Sequence, residues 1–263
     1  MGAGNVATHL SEALLNAGFS VLQLWKRGEI LRDADVYFIA VSDDAIEEVS
    51  QLIPDGKLFA HTSGSVELAR GGVFYPLQTF TKNVDVDWGD IPILIENPVG
   101  ANLCVRPLPA DVTNADEGRH VGLPLQEIAK KISNNVQMTT PEQRRQLHLS
   151  AVFACNFTNH LWTVSEQLLN EKDLSFDLLK PLIYQTVRKI ENCSPRDVQT
   201  GPAVRRDEKT IARHREMLVG ANPRVRPLPA DVTNADEGRH VGLPLQIYEI
   251  LTDSIQKTHN DSH

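Results

Sequence analysis

A glycine-rich turn at the start of the sequence constrains the fold more than any other feature. Residues 2–7 read Gly-Ala-Gly-Asn-Val-Ala, the pattern G-x-G-x-x-A. Gly2 permits a tight turn, Gly4 lets the backbone approach phosphate groups, and a small residue at Ala7 lets the next helix pack on a strand. The pattern predicts a turn that holds a dinucleotide pyrophosphate at a helix N-terminus, with Asn5 and Val6 also at the cofactor.

The residues that follow the turn continue the same unit. Apolar residues from Val6 to Ala17 recur at helical spacing, and Gly18 is a suitable helix stop. The stretch from Phe19 to Trp25 predicts a strand. At its end, an acidic residue would bind the ribose of NAD, whereas this chain has Lys26 and Arg27. Two basic side chains suit a 2′-phosphate, so we expect NADP as the cofactor.

Two features depart from an intact unit of this kind. The chain begins one residue before the turn, so we expect the strand that leads into the turn to be absent. Only ten residues separate Trp25 from the next predicted strand at Val36. A parallel crossover needs about a dozen residues or more, so we expect one helix-strand unit to be missing here.

The rest of the chain divides into an α/β half and a helical half. Predicted strands at 36–41, 58–61 and 91–96 are separated by turns and by a helix over 45–52. From Pro141 onward the pattern is helical. We therefore predict a Rossmann-like dinucleotide-binding domain over 1–139 and an all-α substrate or dimerisation domain over 140–263.

Composition narrows the function classes. The net charge of −8 argues against a nucleic-acid-binding protein or an anionic-membrane binder. No apolar run reaches transmembrane length, and no signal peptide is recognisable. The three cysteines have no metal-ligand spacing, so we expect a cytoplasmic protein with reduced thiols and no metal site.

An internal repeat does not fit the rest of the pattern. Residues 105–126 recur without change as residues 225–246, and four further residues match at 99–102 and 219–222. Because the copies are rich in proline and glycine, we expect two exposed surface insertions, over 99–126 and 219–246, that add nothing to the core. A binding loop that uses Arg106, Arg119 and His120 is the alternative.

With the insertions set aside, the chain resembles a family of bacterial NADP oxidoreductases that have a Rossmann-like domain and a helical dimerisation domain. The family is distantly similar to pyrroline-5-carboxylate reductase and ketopantoate reductase. The resemblance rests on six segments: GAGNVATHL at Gly2, DVYFIAVSDDAI at Asp35, HTSGS at His61, GVFYPLQTF at Gly72, HLSAVFACNFTNHL at His148 and QTGPAVRRDE at Gln199.

The resemblance implies that Ser42, Asp43, Thr62 and Ser63 border the cofactor. Ser42 and Asp43 are equally suited to ordinary helix capping. His61 stands at a strand end, which makes it a candidate for proton transfer, although a neutral structural histidine is more common.

Further candidates lie near the end of the α/β half and in the helical half. Tyr75 and Gln78 can hydrogen-bond a substrate carbonyl or carboxylate, and Tyr75 equally suits a loop anchor. We expect His148, Asn156 and Asn159 to share one inward-facing helix surface, with His148 and Asn156 catalytic and Asn159 at the substrate. Arg206 is a candidate for a substrate carboxylate or, alternatively, a surface partner of Asp207.

Three hypotheses about function follow. The first is an NADP-dependent oxidoreductase that transfers a hydride to or from a small carbonyl or imine substrate held between the domains, and that forms a homodimer through its helical domain. The second is a non-catalytic dinucleotide-binding or interaction protein. The third is an inactive, truncated copy.

Overall fold

The computed structural model describes residues 1–97, 124–220 and 243–258. The chain forms two compact units, Met1–Asn159 and His160–His263. The first unit thus extends beyond the predicted boundary near residue 139 and includes the first helix of the predicted helical half.

The first unit is built on a mixed sheet. Among the described residues the sheet has five strands in the order β1 (Val36–Ile39), β2 (Leu58–His61), β3 (Gly72–Pro76), β4 (Ile93–Glu96) and β5 (Val136–Met138). Strands β1, β2 and β3 run parallel, β4 runs antiparallel to β3, and β5 runs parallel to β4. The register aligns Ile39 of β1 with His61 of β2, and His61 with Val73 of β3.

Helices cover both faces of this sheet. Helices α1 (Asn5–Asn16) and α3 (Pro124–Ile132) pack on the face that carries Leu58 and Ala60 of β2. Helix α2 (Ile46–Ser50) packs on the opposite face with Phe59. Alternate residues of one strand point to opposite faces, and helices cover both faces, so all four residues of β2 are buried. Its first three residues, Leu58–Ala60, are apolar. These three layers confirm the predicted Rossmann-like α/β fold.

Helix α1 ends where the sequence predicts. Gly18 adopts a left-handed φ of +85°. Its N–H donates to the carbonyl of Leu15, and the N–H of Phe19 donates to that of Leu14, both at 3.0 Å. This is the Schellman arrangement, in which glycine avoids the steric cost of a left-handed residue.

The predicted strand from Phe19 to Trp25 is wrong as a strand. In the described structure this stretch belongs to no ladder, and Gly2 N–H donates to the carbonyl of Trp25 at 2.9 Å. Met1 forms hydrogen bonds with β1 and the residue that follows it. The Met1 carbonyl accepts from Ala40 N–H at 2.8 Å, and the Met1 amino group donates to the carbonyl of Phe38. Met1 and Gly2 therefore lie between Trp25 and β1, and two residues are too few to support a ladder.

The sequence also missed several elements. Strands β3 and β5 and helix α3 were not predicted, because their apolar patterns are short. Residues 98–123 and 221–242, which hold most of both repeat copies, lie outside the described residues. The expectation that the copies add nothing to the core is wrong at Leu125. This residue belongs to the first copy, lies on α3 and is 1% exposed in the core between α3 and the sheet.

The helical pattern after Pro141 is confirmed. Helix α4 (Pro141–Ala151) begins with a capping box, in which Thr140 and Gln143 bond each other's backbone N–H groups. A π-helix over Val152–Phe157 leads into α5 (Thr158–Asn170). The remaining helices are α6 (Lys180–Lys189), α7 (Pro202–Arg205), α8 (Glu208–Gly220) and α9 (Leu243–Thr258). None of the helices in the described ranges has the length and apolarity to cross a membrane.

Candidate functional site

The glycine-rich turn has the geometry that its sequence predicts. Gly2 has a φ of +111°, and a Cβ atom there would overlap the carbonyl oxygen of Ala40. Only glycine fits this position. Gly4 is the N-cap of α1, no side chain caps the helix, and a Cβ atom at Gly4 would meet open space. The backbone N–H groups at the start of α1 are therefore approachable by an anion.

The loop that follows β3 packs against the start of α1. The Asn5 amide Nδ2 donates to the carbonyl of Phe80 at 3.0 Å, and His9 Nε2 lies 3.1 Å from the carbonyl of Thr81. Val6, the next predicted cofactor contact, is half-buried on the same helical turn. Gln78 folds onto its own loop, where its side-chain oxygen accepts from Thr79 N–H at 2.7 Å.

The two basic residues at the predicted ribose position are exposed. Arg27 Nη2 lies 2.7 Å from Glu48 Oε2, with most of both side chains in solvent. The backbone N–H of Lys26 donates to the Glu29 carboxylate at 2.9 Å. An exposed ion pair contributes about 0–1 kcal/mol, so Arg27 can exchange Glu48 for another anion at little cost.

Polar residues after β1 and β2 meet at one edge of the sheet. Thr62 N–H donates to the carbonyl of Ile39 at 3.0 Å, which ties the two strand ends together. Ser42 begins a short turn of 3-10 helix over Asp43–Ala45, without a side-chain cap bond. The Ser65 hydroxyl donates to Asp43 Oδ2 at 2.5 Å. This edge is the one that the sequence predicts for the cofactor-bordering residues.

The loop from Thr62 to Ser65 is held internally by Ser63. Its hydroxyl oxygen accepts from the backbone N–H groups of Ser65 and Val66, each at 3.1 Å. Its own N–H donates to His61 Nδ1 at 3.2 Å. The imidazole of His61 thus receives a hydrogen bond at Nδ1, which leaves the proton of the neutral ring on Nε2.

His61 is a buried, neutral histidine. Its side chain is 1% exposed. The pKa of His61 is lowered to about 4, chiefly by burial and also by the nearby positive charge of Arg144, while Asp43 opposes both effects. At neutral pH the ring is therefore uncharged, as a structural histidine would be, and its predicted catalytic role stays a prediction.

A buried ion pair, which the sequence analysis missed, connects α4 to the sheet and to the loop from Thr62 to Ser65. Arg144 is fully buried, and its Nε and Nη2 contact the two carboxylate oxygens of Glu96 at 2.7 and 3.3 Å. Its Nη1 donates to the carbonyl of Ser63 at 3.1 Å. The available signal was Glu96 itself, a charged residue at the end of the apolar run Ile93–Ile95, since a buried charge needs a partner.

One turn after Arg144, His148 meets Tyr75. The hydroxyl of Tyr75 lies 3.0 Å from His148 Nδ1, and the two rings pack edge to face with centroids 5.9 Å apart. The imidazole also lies directly on Gly64, where a Cβ atom would come within 2.5 Å of Nδ1. Burial raises the pKa of Tyr75, Arg144 opposes this effect and Asp43 adds to it. The phenol is therefore protonated at neutral pH.

The remaining predicted residues are Asn156, Asn159 and Arg206. Asn156 lies on the π-helix and Asn159 just after it, and both are exposed. A π-helix winds more residues into each turn and so shifts the helical phase after His148, and the predicted roles of both residues stay predictions. Arg206 belongs to the second unit, where it is exposed at a left-handed position (φ of +53°) after α7. Asp207 instead caps α8 by bonding Thr210.

The chain resembles known proteins of the same architecture. Residues 113–233 match a family described as a domain of unknown function, DUF2520. A crystal structure from Bacteroides fragilis, provisionally described as an NADP oxidoreductase, is 32% identical, with a TM-score of 0.76 over 97% of this chain and 96% of that one. A structure from Thermotoga maritima is 20% identical, with a TM-score of 0.59 over 86% of this chain and 81% of that one, and shows the shared fold. Among curated proteins none matches significantly. At this identity and coverage, the chain belongs to the same family as the Bacteroides fragilis protein.

Proposed function

We propose that the protein is an oxidoreductase that binds a nicotinamide dinucleotide at the start of α1. The observation that carries this proposal is the turn itself. Gly2 is conformationally restricted to glycine, and the uncapped N-terminus of α1 faces open space at Gly4. A helix N-terminus of this kind binds a pyrophosphate through backbone N–H groups and the helix dipole. The Bacteroides fragilis relative supports the same cofactor class.

We further propose NADP rather than NAD. Arg27 and Lys26 follow the extended stretch that ends at Trp25, beside Gly2. The exposed pair of Arg27 with Glu48 is weak, so a 2′-phosphate can replace the carboxylate. Ser42, Asp43, Thr62 and Ser63 then border the cofactor at the sheet edge where their strands end.

The substrate we propose is a small carbonyl or imine compound. The bound cofactor would supply the hydride, and the protein would orient the substrate and supply the proton. The predicted distant similarity to pyrroline-5-carboxylate reductase and ketopantoate reductase motivates these two substrate classes.

We also propose that the second unit forms a homodimer interface. Of its described apolar side chains only Val164, Ala203 and Ile211 are in the buried core, whereas α6 leaves Leu182, Tyr184, Val187 and Ile190 between 49% and 64% exposed. Exposed apolar side chains clustered on one helix mark an interaction surface. A second copy of the chain is the partner that the family resemblance implies.

Titration with NADPH and NADH, followed by the fluorescence of the reduced nicotinamide, tests the cofactor proposal. In Gly4→Ala the new methyl group meets open space at an ordinary φ of −83°. We expect this variant to unfold at the wild-type temperature but to bind NADPH about tenfold more weakly or worse, because the methyl group blocks the approach of phosphate.

Gly18→Ala is the matched control. It introduces a methyl group in open space at the other end of α1, but at a φ of +85°. The variant should lose about 1 kcal/mol of stability and bind NADPH normally. Wild-type affinity in Gly4→Ala would refute the site. Tight binding without turnover on any carbonyl or imine would leave a non-catalytic dinucleotide-binding protein.

A further inference from the structure

A tyrosine and a histidine from distant parts of the sequence meet at the edge where the proposed cofactor site lies. Tyr75 is on β3 and His148 is on α4, and both are half-buried. The 3.0 Å contact between Tyr75 Oη and His148 Nδ1 is short enough for a proton to pass along it. Partial exposure leaves both groups open to a ligand or to solvent.

Several contacts place the pair at this edge. His148 packs on Gly64, in the same loop as Ser65, whose hydroxyl bonds Asp43. Asp43 follows β1 shortly after Ala40, the residue whose carbonyl lies against Gly2. The charged groups that act on Tyr75 are Arg144 and Asp43. One connected group of residues thus extends from the glycine-rich turn to the pair.

An anchoring role does not account for the pair. Helix α4 is already fixed to the sheet one turn earlier, where the fully buried Arg144 holds both carboxylate oxygens of Glu96. The close fit of His148 on Gly64 fixes the imidazole in addition. A half-buried tyrosine–histidine contact adds little to such a junction, but it suits proton transfer, which needs a fixed donor with access to a ligand.

We propose that Tyr75 and His148 form the proton-transfer pair of the reaction, and that the substrate is therefore a carbonyl or imine whose oxygen or nitrogen must gain a proton. This inference rests on the proposed oxidoreductase function. The hydride adds to the carbon atom, and the π electrons of the double bond move to the oxygen or nitrogen. That atom takes the phenolic proton of Tyr75. The phenolate then takes the Nδ1 proton of His148, and the imidazole takes a proton from solvent at Nε2.

The local charges suit these steps. Because burial keeps the phenol protonated, Tyr75 is a donor at neutral pH. Arg144 stabilises the phenolate that forms, since its positive charge lowers the pKa of Tyr75. In the reverse direction Tyr75 would pass the proton of an alcohol or amine to His148, and the same two residues would act as the base.

The first test is kinetic and uses a second tyrosine–histidine contact as its control. In the second unit, Tyr248 Oη lies 2.8 Å from His214 Nδ1, with ring centroids 5.6 Å apart. We would measure NADPH binding and the single-turnover oxidation of NADPH with ethyl pyruvate and 1-pyrroline in Tyr75→Phe, His148→Gln and Tyr248→Phe.

Tyr75→Phe and His148→Gln should bind NADPH as the wild type does, while turnover should fall by about 10²- to 10⁴-fold, the usual effect of losing a general acid. Tyr248→Phe should turn over normally. Wild-type turnover in Tyr75→Phe would overturn the proposal.

The second test needs no substrate. The oxidised nicotinamide carries a positive charge that the reduced ring lacks. If the pair faces the ring, the ¹³C chemical shifts of the His148 imidazole, measured by NMR of ¹³C-labelled histidine and assigned by loss of the signal in His148→Gln, should differ between the NADP⁺ and NADPH complexes. His214 should show no difference.

The outcomes of the two tests separate the two proposals. Absence of NADPH and NADP⁺ binding in the wild type would refute the proposed function and, with it, this inference. Binding of both forms with the same His148 chemical shifts would refute the proton-transfer pair alone.

Discussion

At the scale of single residues, Arg27 should determine the choice of cofactor. Its guanidinium is exposed and, within the part of the chain that the structure describes, pairs with Glu48 alone. A charge-assisted hydrogen bond contributes about 1.5–3 kcal/mol, and about 1.4 kcal/mol corresponds to a tenfold change in affinity. Arg27→Ala should therefore weaken NADPH binding about 10- to 100-fold and leave NADH binding nearly unchanged.

The partner of Arg27 offers the matched control. Glu48→Gln removes the competing charge, so NADPH should bind as tightly as in the wild type or more tightly. Isothermal titration of both variants with NADPH and NADH measures the difference. Equal losses for the two cofactors in Arg27→Ala would remove the argument for NADP.

His61 should make the stability of the protein depend on pH. Its pKa is about 4 in the folded chain and about 6.5 in an unfolded one. The unfolded state therefore binds more protons between these values, and the free energy of unfolding should fall as the pH drops from about 6.5 to about 4. A shift of this size corresponds to about 3 kcal/mol.

Urea unfolding at several pH values measures this effect. In His61→Asn an amide oxygen can still accept the bond from Ser63 N–H, but the side chain does not titrate. The variant should show a flatter pH dependence between pH 4 and 6.5. A curve that parallels the wild type would show that other groups cause the dependence.

At the scale of elements, a buried ion pair contributes to the attachment of α4 to the sheet. Arg144 is fully buried with Glu96 as its partner. Removing one member of a buried pair leaves an uncompensated charge, which costs about 3–5 kcal/mol. We expect Arg144→Met to lose that much stability in urea unfolding, and Arg144→Met combined with Glu96→Leu to recover most of it.

The neighbouring arginine on the same helix is the control. Arg145 pairs with Glu67, and both side chains are substantially exposed. Arg145→Met should change stability by less than about 1 kcal/mol. Similar losses in the two variants would mean that burial does not determine the contribution of this pair.

At the scale of the whole molecule, we expect a dimer that forms through the second unit. Leu182 and Val187 on α6 are 64% and 50% exposed. The double variant Leu182→Glu/Val187→Glu should convert the dimer to a monomer, because it would bury two unpaired charges in the interface. Light scattering after size-exclusion chromatography distinguishes the two states.

Ile30→Glu provides the comparison for that experiment. Ile30 is 90% exposed in the first unit, so its replacement should leave the assembly unchanged. A monomeric wild type, or a dimer that survives the double variant, would contradict the proposed interface.

Much of the first unit followed from local patterns. The sequence indicates the backbone geometry at Gly2 and Gly18, because both adopt left-handed φ values that are costly for other residues. Strands that are buried on both faces are recognisable in the sequence as short apolar runs, such as Leu58–Ala60 in β2. The same kind of pattern from Phe19 to Trp25 led to a strand prediction that is wrong. An apolar pattern indicates burial, but a strand also needs a neighbouring strand with which to form hydrogen bonds.

The sequence by itself determined the glycine-rich turn, the α/β arrangement and the set of polar residues that follow β1 and β2, because each depends on neighbours within a few positions along the chain. The tertiary structure alone decided that Glu96 meets Arg144 and that Tyr75 meets His148, pairs separated by 48 and 73 positions. It also decided that a π-helix over Val152–Phe157 shifts the helical phase between His148 and Asn159. Contacts of this kind depend on how α4 packs on the sheet, and the periodicity of residues within one element does not predict how two distant elements pack.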